Sequence, residues 1–314
     1  MSGFREPMLA TLTERRFSNA AWIFERKFDG MRALAVREGG AAPQLWSRNE
    51  KRLDKRFPEL VDALAELGGP EFTADGEIVA FDGRQTSFAR LQARIHLTGA
   101  TRIAATGVEV YYYLFDLLSF EGEDLTRRPL RERKRILKGA FHFQDPLRYS
   151  VHRNSDGAAY YEDACGRGWE GLIAKRADSR YRSGRSTDWL KFKCVRDQEF
   201  VVGGFTDPQG SRSGFGALLV GYHESQGLLR YAGKVGTGYD DRTLRALRAR
   251  MDDLSRDASP FADQVREKSA HWIEPELVVQ VGFTEWTGDG MLRHPRYQGE
   301  RTDKAPEDVV RETA

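Results

Sequence analysis

The sequence has 314 residues, of which 40% are hydrophobic and 11% aromatic, a composition that predicts a folded chain with a sizeable core. No apolar run reaches the roughly 20 residues of a membrane span, and residues 1–12 lack the apolar segment of a signal peptide. Two cysteines are too few for a four-thiolate zinc site or a disulfide framework. We therefore expect a cytoplasmic protein with no metal cage and no membrane contact.

The net charge of +2 is unevenly distributed along the chain. Residues 1–193 contain 33 basic and 27 acidic side chains, whereas residues 194–314 contain 16 basic and 20 acidic ones. The positive excess in the first two thirds suits a surface that follows phosphate groups, although it is modest in size.

Short extended runs, rich in β-branched and aromatic residues, dominate the first part of the chain. They occupy residues 22–28, 31–36, 44–47, 72–81, 109–118, 171–175 and 190–194. Three helical patterns interrupt these runs. One begins at Pro58, and the other two cover residues 129–141 and 160–168. The mixture predicts an α+β domain over residues 1–194.

The remaining residues have a different pattern. Strands are predicted at residues 200–205, 217–222, 228–235 and 277–283 and near Met291. One helix, at about residues 241–254, carries leucines and a methionine on one face. Five short strands and one helix are typical of a small Greek-key barrel such as the OB-fold. We predict a second domain over residues 195–314.

The most informative segment is residues 25–32, Glu-Arg-Lys-Phe-Asp-Gly-Met-Arg. Lys27 stands where a strand ends and an Asp-Gly turn begins, so its amine can point into a cleft. Arg32 follows the turn and can face the same cleft. A neighbouring cation and burial both favour the neutral amine, which is the nucleophilic form. An isolated segment of this kind is more often an ordinary hairpin with solvated charges.

Five further segments follow residues 25–32 in a fixed order. They are Ser-Arg-Asn at 47–49, Asp-Gly-Glu-Ile-Val at 75–79, Tyr-Leu-Phe-Asp at 113–116, Glu-Gly-Leu-Ile-Ala-Lys at 170–175 and Trp-Leu-Lys-Phe-Lys at 189–193. Together the six segments resemble the motifs of the covalent nucleotidyltransferases, the superfamily of ATP-dependent DNA ligases, RNA ligases and mRNA capping enzymes. The resemblance extends from Pro7 to about Val310.

The resemblance implies a fold and a reaction. The fold is α+β, with a nucleotidyltransferase (adenylation) domain of antiparallel sheets and flanking helices over residues 1–194 and an OB-fold β-barrel over residues 195–314. In the reaction, Lys27 takes AMP from ATP and releases pyrophosphate. Mg²⁺, with Mn²⁺ as an alternative, neutralises the leaving group.

The resemblance also gives roles to the residues around the nucleotide. Glu25 is expected to read the adenine edge and Phe115 to stack on the adenine, although an aromatic residue in so apolar a strand is also typical of core packing. Arg32 and Arg48 are expected on the ribose or on the 5′-phosphate of a nick. Glu77 is expected to bind the ribose or a metal, and Glu170 is expected to bind a metal. Both residues are expected at strand ends. Two carboxylates suffice for Mg²⁺.

Four further cations are expected to bind ATP. Lys191 and Lys193 alternate on one strand and therefore face the same side, from which both can reach the α-phosphate. Lys175 has a similar expected role. Arg185 matches an arginine that contacts the nucleotide in the family. The alternative interpretation is that Arg185 is a solvated charge in a loop.

The second domain contains Arg-His-Pro-Arg-Tyr at residues 293–297 and Arg-Thr-Asp-Lys at 301–304. These segments resemble motif VI, with the greatest similarity to the ligase domain of the multifunctional bacterial end-joining ligase. They imply that Arg293, Arg301 and Lys304 contact ATP. Residues 231–238, Tyr-Ala-Gly-Lys-Val-Gly-Thr-Gly, strengthen this resemblance, and we interpret their glycines as a strand turn.

The predicted function is therefore an ATP-dependent DNA ligase, a monomer that seals nicked double-stranded DNA in repair or end joining. Ku and a separately encoded repair polymerase are candidate partners, because the sequence leaves no room for nuclease and polymerase domains. Two alternatives remain: an RNA ligase or capping-type nucleotidyltransferase, and a non-catalytic nucleic-acid-binding protein that uses its OB-fold. An NAD-dependent ligase is disfavoured because its zinc module needs four cysteines.

Overall fold

A computed structural model describes residues 4–208, 210, 212–224 and 227–312. The chain divides into two compact units, of which the first ends at Cys194 and the second begins at Val195. Within the described residues, no helix is long and apolar enough to cross a membrane.

The first unit contains twelve strands and five helices among its described residues. The strands are β1 (Met8–Leu12), β2 (Asn19–Lys27), β3 (Met31–Arg37), β4 (Gln44–Ser47), β5 (Phe72–Asp82), β6 (Gln85–Thr86), β7 (Val110–Phe120), β8 (Glu123–Asp124), β9 (Leu147–Tyr149), β10 (His152–Ser155), β11 (Gly171–Arg176) and β12 (Gly184–Lys193). The helices are α1 (Pro58–Glu66), α2 (Phe88–Ile95), α3 (Ala100–Ala104), α4 (Leu130–Ala140) and α5 (Gly157–Gly166).

These strands form two sheets in the described part of the unit. One has the order β1-β12-β11-β2-β10, and the other has the order β4-β3-β5-β7-β8, with β6 paired to β5 and β9 to β7. The pairs β1–β12 and β7–β9 are parallel, and the other pairs are antiparallel. The sheets face each other, because Lys175 on β11 lies 4.1 Å from the ring centroid of Phe115 on β7.

The helices pack against these sheets through apolar faces. Helix α1 begins with proline, whose missing N–H costs nothing at that position, and it buries Leu60 and Leu64. Helix α4 differs, because it buries Arg133 and Lys134 as well as two leucines. Arg133 is fully buried and donates two hydrogen bonds, of 2.7 and 2.8 Å, to the equally buried Asp116. These two buried charges are tolerated because each neutralises the other and two hydrogen bonds join them.

The second unit contains the strands β13 (Asp197–Thr206), β14 (Leu218–His223), β15 (Leu229–Val235), β16 (Ser255–Arg256), β17 (Ala270–Gly282), β18 (Glu285–Trp286), β19 (Leu292–Arg293) and β20 (Arg296–Glu300). One sheet has the order β15-β14-β13-β17-β16, with β20 on β17, and β18 pairs with β19. Helix α6 (Asp241–Asp253) is capped by Asp240, which accepts a 2.7 Å hydrogen bond from the Thr243 amide. It buries Leu244, Leu247 and Met251, as its apolar periodicity predicts.

Several sequence-based expectations need correction. The strand predicted at residues 190–194 begins six residues earlier, at Gly184, because it continues as the partner of β1. Helices α2 and α3 were not predicted. Cys165 and Cys194 form a disulfide with a Cα separation of 5.3 Å, which the cysteine count did not suggest. The pairing arises because the end of α5 lies beside the end of β12, an adjacency that a sequence separation of 29 conceals.

Candidate active site

Lys27 is the last residue of β2, and a tight turn leads from it to β3. The turn is closed by Asp29, whose amide donates a 3.0 Å hydrogen bond to the Thr86 hydroxyl and whose carboxylate accepts a 2.9 Å hydrogen bond from the Phe88 amide. Gly30 is required at this point, because a Cβ would lie 2.4 Å from the carbonyl oxygen of Ile78. The position predicted for Lys27, at a strand end before an Asp-Gly turn, is confirmed.

Lys27 forms an ion pair with Glu170, which precedes β11. The two side chains are 18% and 13% exposed, so the pair is mostly shielded from water but remains accessible. The two residues are brought together by the pairing of β2 with β11, in which Lys27 lies opposite Gly171. A primary amine and a carboxylate in contact at an accessible strand end can together perform nucleophilic and proton-transfer chemistry.

Two further lysines lie on the same sheet face as Lys27. Gly171 pairs with Lys27 on one side and with Lys193 on the other, and Ile173 pairs with Glu25 and Lys191 in the same way. Side chains directly opposite one another across a sheet share a face. The face therefore carries Glu25, Lys27, Lys191 and Lys193, and the alternation predicted for the two β12 lysines agrees with this arrangement.

Glu25 is the centre of a buried ionic cluster. It is 2% exposed, and its carboxylate contacts the amine of Lys134 at 2.6 Å and that of Lys175 at 2.8 Å. Burial raises the pKa of Glu25, but the charges of Lys134 and Lys175 outweigh burial and hold that pKa below its usual value. Burial lowers the pKa of Lys175 to about 8, while Glu25 opposes the shift.

Phe115 lies between two cations. Its ring centroid is 4.6 Å from the Arg32 guanidinium and 4.1 Å from the Lys175 amine, and the side chain is 7% exposed. Both distances fall within the range of cation–π attraction. Phe115 therefore belongs to the core, as its apolar strand suggested, and also contacts two cations.

Arg32 is fixed by residues that sequence reasoning did not single out. It donates hydrogen bonds of 2.5 and 2.6 Å to Asp75, and the Tyr181 hydroxyl donates a 2.5 Å hydrogen bond to the same carboxylate. Burial favours the neutral guanidine, but the charge of Asp75 outweighs it and raises the pKa of Arg32. Asp75 precedes the predicted Glu77 by two residues on the same strand and therefore faces the same side. This spacing could have identified Asp75 from the sequence.

The remaining predicted residues of the first unit occupy different places. Glu77 is in the middle of β5, which corrects the expected strand-end position, because the apolar run after it continues the strand to Asp82. Its Cα partners are Arg32 and Tyr113. Arg48 follows β4 directly. Arg185 is an exposed residue of β12 and donates a 3.0 Å hydrogen bond to the carbonyl of Ala10.

The predicted motif VI residues lie in the second unit. Arg293 is paired with Glu285 at 2.5 Å, and Lys304 with Glu199 at 3.1 Å. Arg301 donates two hydrogen bonds, of 2.9 and 2.8 Å, to the buried carboxylate of Asp303. Their contact with ATP stays a prediction.

A cluster of three or more histidine, cysteine or carboxylate side chains suited to a metal ion is absent from the described residues. Glu170 contacts the Lys27 amine, whereas Glu77 acts electrostatically on Arg32. Both supply the carboxylate oxygens that Mg²⁺ prefers, and Mg²⁺ needs only one or two of them when phosphate oxygens and water complete its shell.

Residues 7–193 match the family described as ATP dependent DNA ligase domain, and residues 211–304 match the ATP dependent DNA ligase C terminal region. The multifunctional non-homologous end joining protein LigD of Pseudomonas aeruginosa is 38% identical over 98% of this chain and 36% of its own length. The LigD protein of Mycobacterium tuberculosis H37Rv is 36% identical over 98% of this chain and 40% of its own length. The chain thus spans well under half the length of these relatives.

Solved structures agree with the sequence matches. A mycobacterial DNA ligase D complexed with ATP and MES is 34% identical, with a TM-score of 0.69 and 98% of both chains covered. The ligase domain of M. tuberculosis LigD is 35% identical, with a TM-score of 0.53 and the same coverage. The predicted α+β fold with a C-terminal OB-fold is confirmed, and the matches favour the DNA ligase over both alternatives. The chain belongs to the ATP-dependent DNA ligase family.

Proposed function

We propose that this chain seals nicks between a 3′-hydroxyl and a 5′-phosphate in double-stranded DNA, through a covalent adenylate on Lys27. The observation that carries the proposal is the contact of the Lys27 amine with Glu170 on a sheet face that also holds Glu25, Lys191 and Lys193. An amine nucleophile, a carboxylate beside it and further cations are the groups that nucleotidyl transfer to an amine requires.

In the first step the Nζ atom of Lys27 attacks the α-phosphorus of ATP. A nitrogen–phosphorus bond forms, the bond from the α-phosphorus to the pyrophosphate oxygen breaks, and pyrophosphate leaves. Attack requires the neutral amine, and Glu170 is the carboxylate that contacts it and takes its proton. Lys193, opposite Lys27 across Gly171, and Lys191 stabilise the charge that develops on the α-phosphate.

The other walls of the cleft orient the nucleotide. Phe115 offers an apolar surface to the adenine, and Glu25, held by Lys175 and Lys134, accepts a hydrogen bond from the base. Arg32 is fixed as a cation by Asp75 and binds the ribose or the 5′-phosphate. Arg48, Arg185, Arg293, Arg301 and Lys304 complete the proposed set of ATP contacts.

Mg²⁺, or Mn²⁺ in its place, would be held by Glu77 and Glu170, whose carboxylate oxygens are the ligands that it prefers. When bound, the ion neutralises charge on the phosphates.

Two further steps complete sealing. The AMP group passes from Lys27 to the 5′-phosphate of the nick, so the nitrogen–phosphorus bond breaks and a phosphoanhydride forms. The 3′-hydroxyl then attacks that 5′-phosphate, its proton leaves, and AMP departs. The products are a phosphodiester bond, AMP and the regenerated amine of Lys27.

The cellular setting is proposed from the relatives alone. The named relatives are multifunctional end-joining proteins of more than twice this length. We place this chain in the cytoplasm, acting as a monomer in DNA repair, with Ku and a separately encoded repair polymerase as partners.

Incubation with ATP labelled on the α-phosphate and with Mg²⁺, followed by a denaturing gel, tests the first step. We expect a labelled protein band that disappears when pyrophosphate is added, because the reaction reverses. A second assay follows conversion of a nicked duplex into a continuous strand. A protein that binds the duplex but neither takes label nor joins strands would contradict the proposal.

A further inference from the structure

A cavity of about 610 Å³ lies in the first unit. It contacts Tyr111 and Tyr113 of β7 and so lies towards the start of that strand from Phe115. Four arginines line it: Arg26, Arg84, Arg90 and Arg148. Among the described residues of its wall, Glu109 is the one carboxylate, and it accepts a 3.1 Å hydrogen bond from the Tyr111 hydroxyl. The lining therefore carries a net charge of +3, and this arginine pocket is suited to an anion.

Arg26 forms the inner part of the arginine pocket. Its guanidinium carbon lies 4.5, 5.4 and 5.9 Å from the ring centroids of Trp169, Phe28 and Phe81. Two of its nitrogen atoms, Nε and Nη2, are buried without a hydrogen-bond partner among the described residues. A buried guanidinium with unmet donors is costly, and an anionic ligand removes that cost. Burial also lowers the pKa of Arg26, and an anion opposes this shift.

The other three arginines surround the mouth of the pocket. Arg84 and Arg90 are exposed, and neither pairs with a carboxylate in the described part of the chain. Arg148 is more rigid, because it stacks 3.8 Å above Tyr111, bonds the Tyr113 hydroxyl at 2.9 Å and pairs with Asp145. The aromatic rings thus hold guanidinium groups in place, and the open donors remain for a ligand with several oxygen atoms.

The place of the pocket on the sheet favours one source of that anion. Glu77 and Phe81 are four residues apart on β5 and face the same side, so the Phe81 wall of the pocket is about 13 Å from Glu77 along β5. A duplex rises by about 3.4 Å per base pair. Arg26 of the pocket directly precedes Lys27 in the chain, so a strand that ends at a nick beside Lys27 reaches the pocket within about four nucleotides.

We propose that the arginine pocket binds phosphodiester groups of the DNA strand beside the nick and thereby sets the position of the nick relative to Lys27. The proposal rests on the proposed ligase function for its choice of ligand. Recognition is independent of base sequence, because guanidinium groups on phosphate oxygens carry no base information. The alternative source of the same chemistry is the polyphosphate tail of ATP or free pyrophosphate.

The double variant Arg84→Ala/Arg90→Ala tests the proposal, because both side chains are exposed and their loss leaves the fold intact. Arg102→Ala/Arg135→Ala is the matched control, since it removes the same charge from exposed positions outside the pocket. Binding of a nicked duplex is measured by fluorescence anisotropy over a range of salt concentrations. This binding is measured without added ATP, so that it is scored separately from labelling of Lys27.

We expect the pocket variant to bind the nicked duplex about tenfold more weakly than the control at moderate salt. Its slope of log affinity against log salt falls by about 2, one for each lost phosphate contact. Labelling by ATP stays within about twofold of the control. Arg26→Gln weakens duplex binding in the same direction, because it removes the buried charge.

Two outcomes would overturn the proposal. Equal duplex affinity and salt slope for the pocket and control variants would show that the pocket does not hold DNA. Reduced labelling by ATP with unchanged duplex binding would assign the pocket to the polyphosphate. Failure of the wild-type protein to take label concerns the proposed function and leaves the binding result readable.

Discussion

Lys27 on β2 and Lys193 on β12 lie opposite the same residue, Gly171 of the strand between them. Gly171 has φ +145°, and a Cβ there would lie 1.9 Å from the carbonyl oxygen of Phe192. Gly171 therefore tolerates no side chain, because the backbone of β12 occupies the place of its Cβ.

Gly171→Ala is expected to destabilise the first unit by about 3 kcal/mol, because strain in the backbone adds to the clash with Phe192. Calorimetry measures this loss as a lower Tm. Gly139→Ala is the control, since Gly139 lies on α4 and a Cβ added there would have no atom within 4 Å. It should be neutral or stabilising by up to about 1 kcal/mol. Equal Tm values for the two variants would contradict the close approach at Gly171.

Replacement of Lys27 should abolish labelling by ATP. Lys27→Ala lacks the nucleophile, and Lys27→Arg carries a guanidinium that stays protonated. The measurement is the labelled band on a denaturing gel. Lys138→Ala, at an exposed position of α4, should label like the wild type. A labelled Lys27→Arg protein would place the covalent adenylate on another residue.

Much of the candidate site follows from the sequence, because its chemistry restricts the residue types. The Lys-Phe-Asp-Gly turn located Lys27, and the alternation of Lys191 and Lys193 placed both on one face. The strands predicted at 44–47 and 72–81 agree with β4 and β5 to within one residue at each end, since hairpin turns and apolar runs mark their limits.

The cluster around Glu25 could not be predicted in the same way. Lys134 lies far along the chain from Glu25 on an amphipathic helix, where a lysine is ordinarily a solvated residue, yet it is 1% exposed and paired with Glu25. The disulfide and the pairing of Arg32 with Asp75 likewise depend on which strands become neighbours. A single sequence records local periodicity, whereas these contacts are long-range.

Sealing and adenylation should differ in their response to salt. A basic face that binds a duplex displaces counterions from it, so sealing under limiting DNA should weaken steeply between about 50 and 200 mM salt. Labelling of Lys27 without DNA involves one small ligand in a partly shielded cleft and should change much less. Both rates are measured across one salt series at a fixed ATP concentration. Equal slopes would contradict a DNA-binding role for the first unit.

The ionisation of Lys175 gives a prediction about stability and pH. Burial lowers the pKa of this amine to about 8 from its ordinary value of 10.5. Between these two pH values the unfolded chain binds more protons at this residue than the folded chain does. Stability contributed by Lys175 must therefore rise as the pH increases from about 8 towards 10.5. Below about pH 8 both states are protonated, and the contribution is constant.

Lys175→Met isolates this effect, because it replaces a buried amine by an apolar side chain of similar length. The difference in Tm between the wild type and Lys175→Met, measured by calorimetry from about pH 7 to 10, should shift in favour of the wild type above about pH 8. Lys138→Met, which changes an exposed lysine of α4, should give a Tm difference that varies little over the same range. Glu25 stays ionised throughout, since its pKa is held below its usual value by Lys134 and Lys175 despite burial. A Tm difference that is flat, or that moves in favour of Lys175→Met as the pH rises, would mean that Lys175 keeps its proton in the folded protein.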